Sequence, residues 1–182
     1  MQKKLILDQK LLDITLDRLC HQLVENHGNF ANTVLIGLQP RGVYLAERIA
    51  ARLREMLKKD VPIGYLDTTF HRDDYRMRDM PIMANATTIP FIIEHKMVVL
   101  IDDVLFTGRS VRAALDAMIA FGRPLKVELL VLVNRKHTRD LPIEPNYVGR
   151  SVNTLQTQKV LVEWKVQGKG KDSIWLINNI KS

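Results

Sequence analysis

The chain has 182 residues, of which 46% are hydrophobic and 26% charged, and this favours a single globular domain over residues 1–182. No apolar run approaches the roughly 20 residues of a membrane span, no secretory-type apolar segment follows Met1, and the single cysteine, Cys20, excludes an internal disulfide. These features predict a cytoplasmic protein without a membrane partner. The formal net charge of +7 favours phosphorylated ligands or nucleic acid and does not separate the two.

The spacing of apolar residues predicts alternating helices and strands in the first part of the chain. Leucines recur every three to four residues between Asp8, a plausible N-cap, and Gly28, a plausible stop, which indicates a helix. Short apolar runs beyond it are typical of strands. The predicted elements are a helix over residues 8–27, a strand over Thr33–Gly37, a helix over residues 43–58 and a strand over Val61–Phe70.

Residues 71–95 show no convincing period and are dense in Arg, Asp, Pro and Met, which is typical of a functional loop. Short strands are predicted at its base, at Met83 and Ile89–Ile93. Beyond it, the predicted elements are Lys96–Ile101 (strand), Ser110–Phe121 (helix), and four strands over Leu125–Val133, Tyr147–Gly149, Val160–Trp164 and Ile174–Ile177. This order predicts an α/β fold with a mostly parallel central sheet, in which ligands bind at the carboxyl ends of the strands.

Two adjacent carboxylates, Asp102 and Asp103, directly follow a strand of the buried type, and a short turn then opens a helix. Gly108 in this turn permits close backbone approach. The N–H groups of residues 107–110 would converge at the start of the helix and form an anion site. Carboxylates beside an anion site make sense if the ligand also presents sugar hydroxyls or a magnesium ion. The alternative is that the acidic pair only caps the helix.

The stretch Val98–Ser110 resembles the type I phosphoribosyltransferase signature. The resemblance implies that Asp102 and Asp103 are catalytic, that they hold the ribose hydroxyls, and that they bind Mg²⁺ directly or indirectly. It also implies the family's fold, a central sheet flanked by helices with a small hood and a flexible loop. The residues in the position of the family's 5-phosphate loop are Thr107, Gly108, Arg109 and Ser110.

Other segments resemble one subfamily, the PyrR proteins, which are pyrimidine-operon attenuation regulators that also have uracil phosphoribosyltransferase activity. The matching segments are Leu35–Ala46, Asp67–Asp74, Thr107–Ala114, Gly122–Pro124, Leu141–Ile143 and Tyr147–Gly149. The resemblance implies that the substrates are 5-phosphoribosyl-1-pyrophosphate (PRPP) and a nucleobase, with uracil favoured. It also implies a homo-oligomer.

Residues Gln39, Pro40, Arg41 and Gly42 follow a buried strand and correspond to the family's pyrophosphate loop. The fixed charge and planar fork of Arg41 suit phosphate oxygens, so this residue is a candidate for stabilising the leaving pyrophosphate. In the irregular segment that corresponds to the flexible loop, Arg72 is placed to reach pyrophosphate. The alternatives are that Arg41 is an ordinary surface arginine and that the irregular segment is only a solvated loop.

The family places its base-recognising groups after the last central strand, which here implies Arg135, Tyr147 and Val148. Asn134 and Lys136 stand where similar proteins commonly carry Asp and Gly. The alternative for Tyr147 is a core aromatic on a strand. A purine phosphoribosyltransferase is therefore an alternative function.

The resemblance also implies that RNA is a possible partner, bound on a basic face away from the cleft. The residues that resemble parts of that face are Arg18, His21, His137, Arg139 and Arg150. Asp17 and the pair Gln39-Pro40 depart from the pattern of the regulatory relatives. Those relatives carry neutral or positive groups at these positions, which favour RNA binding. The second function class is therefore an RNA-binding attenuator whose cleft senses nucleotides, and we expect weak, salt-sensitive RNA binding.

Overall fold

The computed structural model describes residues 2–71, 85–155 and 157–178, and these ranges form two sheets and three main helices. The helices are α1 (Gln9–His27), α2 (Gly42–Leu57) and α3 (Arg109–Met118). The strands are β1 (Gln2–Leu7), β2 (Thr33–Leu38), β3 (Ile63–Leu66), β4 (Met97–Leu105), β5 (Lys126–Lys136), β6 (Tyr147–Asn153), β7 (Gln158–Glu163) and β8 (Ser173–Asn178).

A five-stranded parallel sheet forms the centre of the molecule, with the strand order β3-β2-β4-β5-β6. Side chains of the middle strand β4 alternate between its two covered faces. Val99 and Ile101 pack in the core that includes α1 and α2, whereas Val98 and Leu100 pack in the core that includes α3. The predicted α/β fold with a parallel central sheet flanked by helices is confirmed.

A smaller antiparallel sheet has the order β1-β8-β7 and corresponds to the predicted hood. It is fixed to α2 by Arg48, whose guanidinium lies 4.2 Å from the ring centroid of the buried Trp164 and 3.1 Å from a carboxylate oxygen of Asp172. The sequence pattern does not predict β1, because the exposed side chains of Lys3 and Lys4 interrupt its apolar alternation.

Strand β3 ends earlier than predicted, at Leu66 rather than Phe70. The side chain of Asp67 turns the chain at this point, since one of its oxygens accepts hydrogen bonds from the backbone N–H of Thr69 at 2.9 Å and from the Thr69 hydroxyl at 2.6 Å. A short polar side chain that captures the backbone in this way competes with strand pairing.

The prediction of a strand over Ile89–Ile93 is wrong, because this segment is irregular. Pro90 lacks an N–H for a sheet ladder, and the chain makes instead an isolated antiparallel bridge between Tyr65 and Thr88. The other short strand, predicted at Met83, lies outside the described residues.

Cys20 on α1 is fully buried, and burial raises the pKa of its thiol to about 12. The thiol therefore stays protonated and belongs to the core rather than to a reactive site. Among the residues described, none of the helices has both the length and the apolar character that crossing a membrane demands.

Candidate active site

The acidic pair lies within β4, close to its carboxyl end, since the strand continues to Leu105. Asp103 is 5% exposed, and its Oδ2 accepts a hydrogen bond from Nε of Arg41 at 2.7 Å. Asp102 is partly exposed, and its Oδ1 accepts from the backbone N–H of Asp103 at 2.9 Å. Loss of hydration, and then the charge of Asp103, raises the pKa of Asp102 well above its usual value. Asp103 thus has a cationic partner, whereas burial and its charged neighbour oppose the ionisation of Asp102.

Arg41 joins the acidic pair to the hood. Besides its bond to Asp103, it donates from Nη2 to the carbonyl oxygen of Val162 at 2.7 Å, and its side chain remains 43% exposed. Val162 lies on β7, an edge strand that pairs with β8 on its other side. Since backbone groups of alternate residues point to the same edge, the N–H and C=O of Val160 also face the edge on which Arg41 lies.

Gly42 begins α2 and brings this helix directly onto β4. A Cβ atom at this position would overlap the carbonyl oxygen of Ile101 and lie 3.1 Å from Cα of Asp102. The backbone of Gly42 therefore approaches the strand that carries the acidic pair. The preceding peptide bond between Gln39 and Pro40 is cis.

Gln39 ties the predicted pyrophosphate loop to neighbouring segments. Its backbone N–H donates to Leu66 O at 2.9 Å, and its side-chain Nε2 donates to Ala86 O at 2.7 Å. Asp67, next to Leu66, accepts from the N–H of Asn85 at 2.5 Å. The role predicted for Arg72 concerns a residue outside the described ranges and stays a prediction.

The predicted phosphate loop connects β4 to α3. Gly108 has φ 93°, a left-handed conformation that favours glycine, and α3 begins at the next residue. A Cβ atom at Gly108 would lie 3.2 Å from the Ile143 side chain. The hydroxyl of Thr107 accepts from the N–H of Arg109 at 3.4 Å, and the Arg109 side chain is 3.2 Å from Asp140. Ser110 lies in the first turn of α3, so the four predicted residues lie together at the helix start.

Arg135, predicted to bind the base, is buried at the end of β5 and braces the phosphate loop. Its Nε donates to the hydroxyl of Thr154 at 2.9 Å and its Nη2 to Leu155 O at 3.1 Å. Its guanidinium also lies 3.9 Å from the ring centroid of Phe106, within the loop. Burial lowers the pKa of Arg135. Because these contacts use several of its donors, the geometry favours a supporting role over contact with a base.

A polar cavity of about 220 Å³ opens at the carboxyl end of β5. Its lining consists of Asn134, Arg135, Lys136, His137, Arg139 and Glu144. The neighbouring strand β4 carries the acidic pair and continues into the phosphate loop. The segment that the family uses for base recognition therefore does form a recess beside the predicted ribose site.

Tyr147 and Val148 are not brought to this cavity. The Tyr147 side chain is buried in the core, its hydroxyl donates to Glu128 Oε2 at 2.7 Å, and it lies 3.1 Å from His27 Nε2. Burial, followed by the hydrogen bond to Glu128, raises the pKa of Tyr147 to about 12. The carbonyl of Val148 accepts from Arg18 at 3.1 Å. The structure thus supports the core alternative for Tyr147, and contact of Tyr147 or Val148 with a base stays a prediction.

The comparison with known proteins agrees with this site. The family described as "Phosphoribosyl transferase domain" matches residues 3–167, and the chain belongs to this family, in its PyrR-like branch. A "Bifunctional protein pyrR" of Enterococcus faecalis is 40% identical over 176 residues, covering 97% of each chain. A "Bifunctional protein PyrR" of Elusimicrobium minutum is 43% identical over 176 residues, covering 96% of this chain and 97% of the relative.

Solved structures show the same fold at low identity. A hypoxanthine phosphoribosyltransferase from Staphylococcus aureus superposes with a TM-score of 0.66 at 18% identity, covering 87% of this chain and 81% of that chain. The hypoxanthine phosphoribosyltransferase of Trypanosoma cruzi gives a TM-score of 0.66 at 12% identity, covering 83% and 78%. The predicted type I phosphoribosyltransferase fold and the PyrR-like resemblance are therefore confirmed.

Sequence reasoning did not identify β7 as part of the site. Its edge meets Arg41 through the backbone carbonyl of Val162, and no side-chain pattern signals a contact made by the backbone. Glu144 and the orientation of Asn134 were also missed, because both depend on how the chain folds back after β5. A buried polar residue at the end of an apolar strand, such as Asn134, is the one signal that could have been used.

Proposed function

We propose that the protein transfers the phosphoribosyl group of PRPP to uracil, giving UMP and pyrophosphate. The observation that carries this proposal is the position of Arg41, which bonds to Asp103 of the acidic pair and to Val162 of the hood edge. One cation thus links the predicted pyrophosphate loop to the acidic pair and to the edge of the hood. The names of the relatives, "Bifunctional protein PyrR", support a second activity beside the transfer.

The chemistry follows from this arrangement. The bond between the anomeric carbon and a pyrophosphate oxygen breaks, its electron pair leaves with pyrophosphate, and a base nitrogen bonds to the same carbon as it loses its proton. Asp102 and Asp103 hold the ribose hydroxyls and favour the positive charge that develops on the ring. The exposed part of the Arg41 side chain would contact the leaving pyrophosphate. No side chain acts as a nucleophile.

The carboxylates of the site suit Mg²⁺ only if the substrate supplies further oxygen ligands. Asp102 and Asp103 offer the carboxylate oxygens that this hard cation prefers. Within the described ranges, however, no group of three or more His, Cys, Asp or Glu side chains is placed to hold a metal ion. The ion would therefore share its coordination with phosphate oxygens of PRPP, and it would neutralise charge on the leaving pyrophosphate.

The edge of β7 that faces away from β8 supports a pyrimidine as the acceptor. Uracil presents alternating carbonyl oxygens and N–H groups, which a strand edge can pair with in the manner of a neighbouring strand. The N–H and C=O of Val160 point to this edge, and the polar cavity after β5 lies beside the phosphate loop. The base would thus bind between β7 and this cavity. A purine phosphoribosyltransferase is the alternative. The similar solved structures are hypoxanthine phosphoribosyltransferases, but at their low identity they support only the shared fold.

RNA binding is a weaker part of the proposal. Two of the basic residues expected on the RNA face also make hydrogen bonds within the chain. Arg18, which is exposed, donates to Val148 O and to Gly149 O at 2.6 Å, and Arg139, which is partly exposed, donates to backbone carbonyls. Asp17 lies 3.0 Å from Arg52, which offsets part of its negative charge. His21, His137 and Arg150 remain exposed. This favours RNA contacts that are few, electrostatic and poorly selective.

We also propose that the protein is cytoplasmic and forms a homo-oligomer. An apolar recess of about 450 Å³ at the end of α3 is lined by Leu115, Met118 and Ile119, with Ile119 75% exposed. Exposed apolar surface of this kind is common where subunits meet.

The test is a screen of single bases with PRPP and Mg²⁺, following release of pyrophosphate. Uracil should give UMP, and hypoxanthine, guanine and adenine should give less than about 1% of that rate, a discrimination of order 3 kcal/mol. A preference for a purine would replace uracil by the alternative substrate. If none of the bases is converted and the protein binds leader RNA selectively, the result would favour the attenuator.

A further inference from the structure

Arg139 lies where three segments of the site meet. Its guanidinium donates to Phe106 O of the phosphate loop, to Leu105 O at 3.4 Å and to Arg135 O at 3.1 Å. It also donates to the side-chain oxygen of Asn134. A fifth hydrogen bond, from Nε of Arg139 to the carbonyl oxygen of Ile143 at 3.0 Å, closes the turn between these two residues. The five acceptors belong to the ends of β4 and β5, to the phosphate loop and to the segment that follows β5.

The neighbours of Arg139 hold the same loop. The backbone N–H groups of Asp140 and Leu141 both donate to Thr107 O, at 3.0 and 3.3 Å. Gly108 faces the side chains of Ile143 and Leu141. The segment 139–143 therefore supports the back of the phosphate loop, and Arg139 extends this support to the end of β5.

Arg139 also sets the direction of an amide in the cavity. Because a guanidinium only donates hydrogen bonds, the oxygen of Asn134 must face Arg139 and its nitrogen must face away. Asn134 is 7% exposed and lines the polar cavity after β5. One arginine thus bonds both to the phosphate loop and to a side chain of the cavity.

We infer that Arg139 is a positioning residue, which couples the geometry of the phosphate loop to that of the polar cavity and does not serve as a contact for RNA. This inference rests on the proposed function, since it assigns the two sites to the phosphate and the base of one reaction. A lysine cannot replace it, because a single ammonium cannot reach five acceptors spread around a planar fork. Its partial burial, which lowers its pKa, agrees with a role inside the protein.

The test compares Arg139→Ala and Arg139→Lys with Arg150→Ala, which removes an exposed arginine of β6. Both Arg139 variants should lose about 100-fold in kcat/KM for PRPP, a usual cost of misplaced binding groups, while Arg150→Ala stays within about twofold of the wild type. Guanidinium ion at millimolar concentration should restore part of the activity of Arg139→Ala and none in Arg139→Lys. Thermal melting of each variant separates this effect from global unfolding.

Calorimetric titration with ribose 5-phosphate tests the inference apart from turnover. Weaker binding by folded Arg139→Ala than by Arg150→Ala supports the inference even if no base is accepted, in which case the proposed function alone fails. Equal affinity for ribose 5-phosphate would overturn the inference. An Arg139→Ala protein with normal transfer kinetics and lost affinity for RNA would overturn it as well.

Discussion

Nε of Arg41 lies 2.7 Å from Oδ2 of Asp103, so the predicted pyrophosphate loop and the acidic pair are in direct contact. The same guanidinium bonds to Val162 O in the hood. Asp103 is thereby compensated and buried, whereas the pKa of Asp102 is raised by its loss of hydration and by its charged neighbour. Two adjacent carboxylates of identical chemistry thus lie in different electrostatic environments.

Replacing each of the two carboxylates by asparagine should have different effects. Asp102→Asn should lower turnover about 100-fold and keep or raise the melting temperature, because it removes a carboxylate that is costly to ionise. Asp103→Asn should lower turnover and also cost about 1–3 kcal/mol of stability, because Arg41 loses its partner. Turnover and thermal melting of both single variants check this. Near-normal turnover in the double variant would remove the acidic pair from the site.

Gly108→Ala should weaken binding of the phosphate group and destabilise the fold. Its φ of 93° is unfavourable for alanine, at a cost of about 1–2 kcal/mol, and the new methyl would press on Ile143. Gly168→Ala is the matched control, since Gly168 has φ 76° and no atom near its missing Cβ. Both variants should melt lower, but only Gly108→Ala should bind ribose 5-phosphate more weakly. Equal affinities would mean that the loop is only a turn.

Tyr147→Phe should leave catalysis unchanged. The Tyr147 hydroxyl bonds to Glu128 inside the core, so its loss should cost about 1–2 kcal/mol of stability and leave KM for uracil within about twofold. Steady-state kinetics with varied uracil, together with denaturant unfolding, are the measurements. A large rise in KM without loss of stability would return Tyr147 to the base site.

Glu128 should make stability depend on pH. Burial opposes its ionisation, but hydrogen bonds from Lys126 and Tyr147 and the charge of His27 outweigh burial and lower its pKa. A carboxylate whose pKa is lower in the folded state adds stability above its unfolded pKa of about 4.3, and this stability is lost as the pH falls through the folded value. Glu128→Gln should therefore melt below the wild type at pH 7, with the gap closing below about pH 4. A gap that is constant across this range would contradict the assignment.

RNA binding should be weak and salt-sensitive. The exposed cations of the expected face are few, so affinity for a pyrimidine-operon leader RNA should fall steeply between two salt concentrations and be similar for a scrambled RNA. Binding assays with both RNAs, with and without UMP, give the comparison. Strong preference for the leader that UMP enhances would show that attenuation is a principal function.

The local parts of this site could be predicted from the sequence, and its long-range parts could not. The acidic pair and Gly108 lie within one strand–loop–helix unit, where residue order nearly determines geometry. The sequence left two alternatives for Tyr147, because a strand's pattern does not say which end of the sheet its first residue occupies or which face it joins. The contacts of Arg41 with Val162 and of Arg139 with Phe106 join residues far apart in the chain, and no local spacing signals them.

Whether one cleft joins the phosphoribosyl donor to uracil is decided by the initial rate of UMP formation from PRPP, uracil and Mg²⁺. It should be followed together with pyrophosphate release in the wild type and in Asp102→Asn. We predict equal amounts of UMP and pyrophosphate from the wild type and a rate lower by about 100-fold in the variant. Absence of UMP from a folded wild-type protein that binds PRPP, or an unchanged rate in Asp102→Asn, would contradict the account.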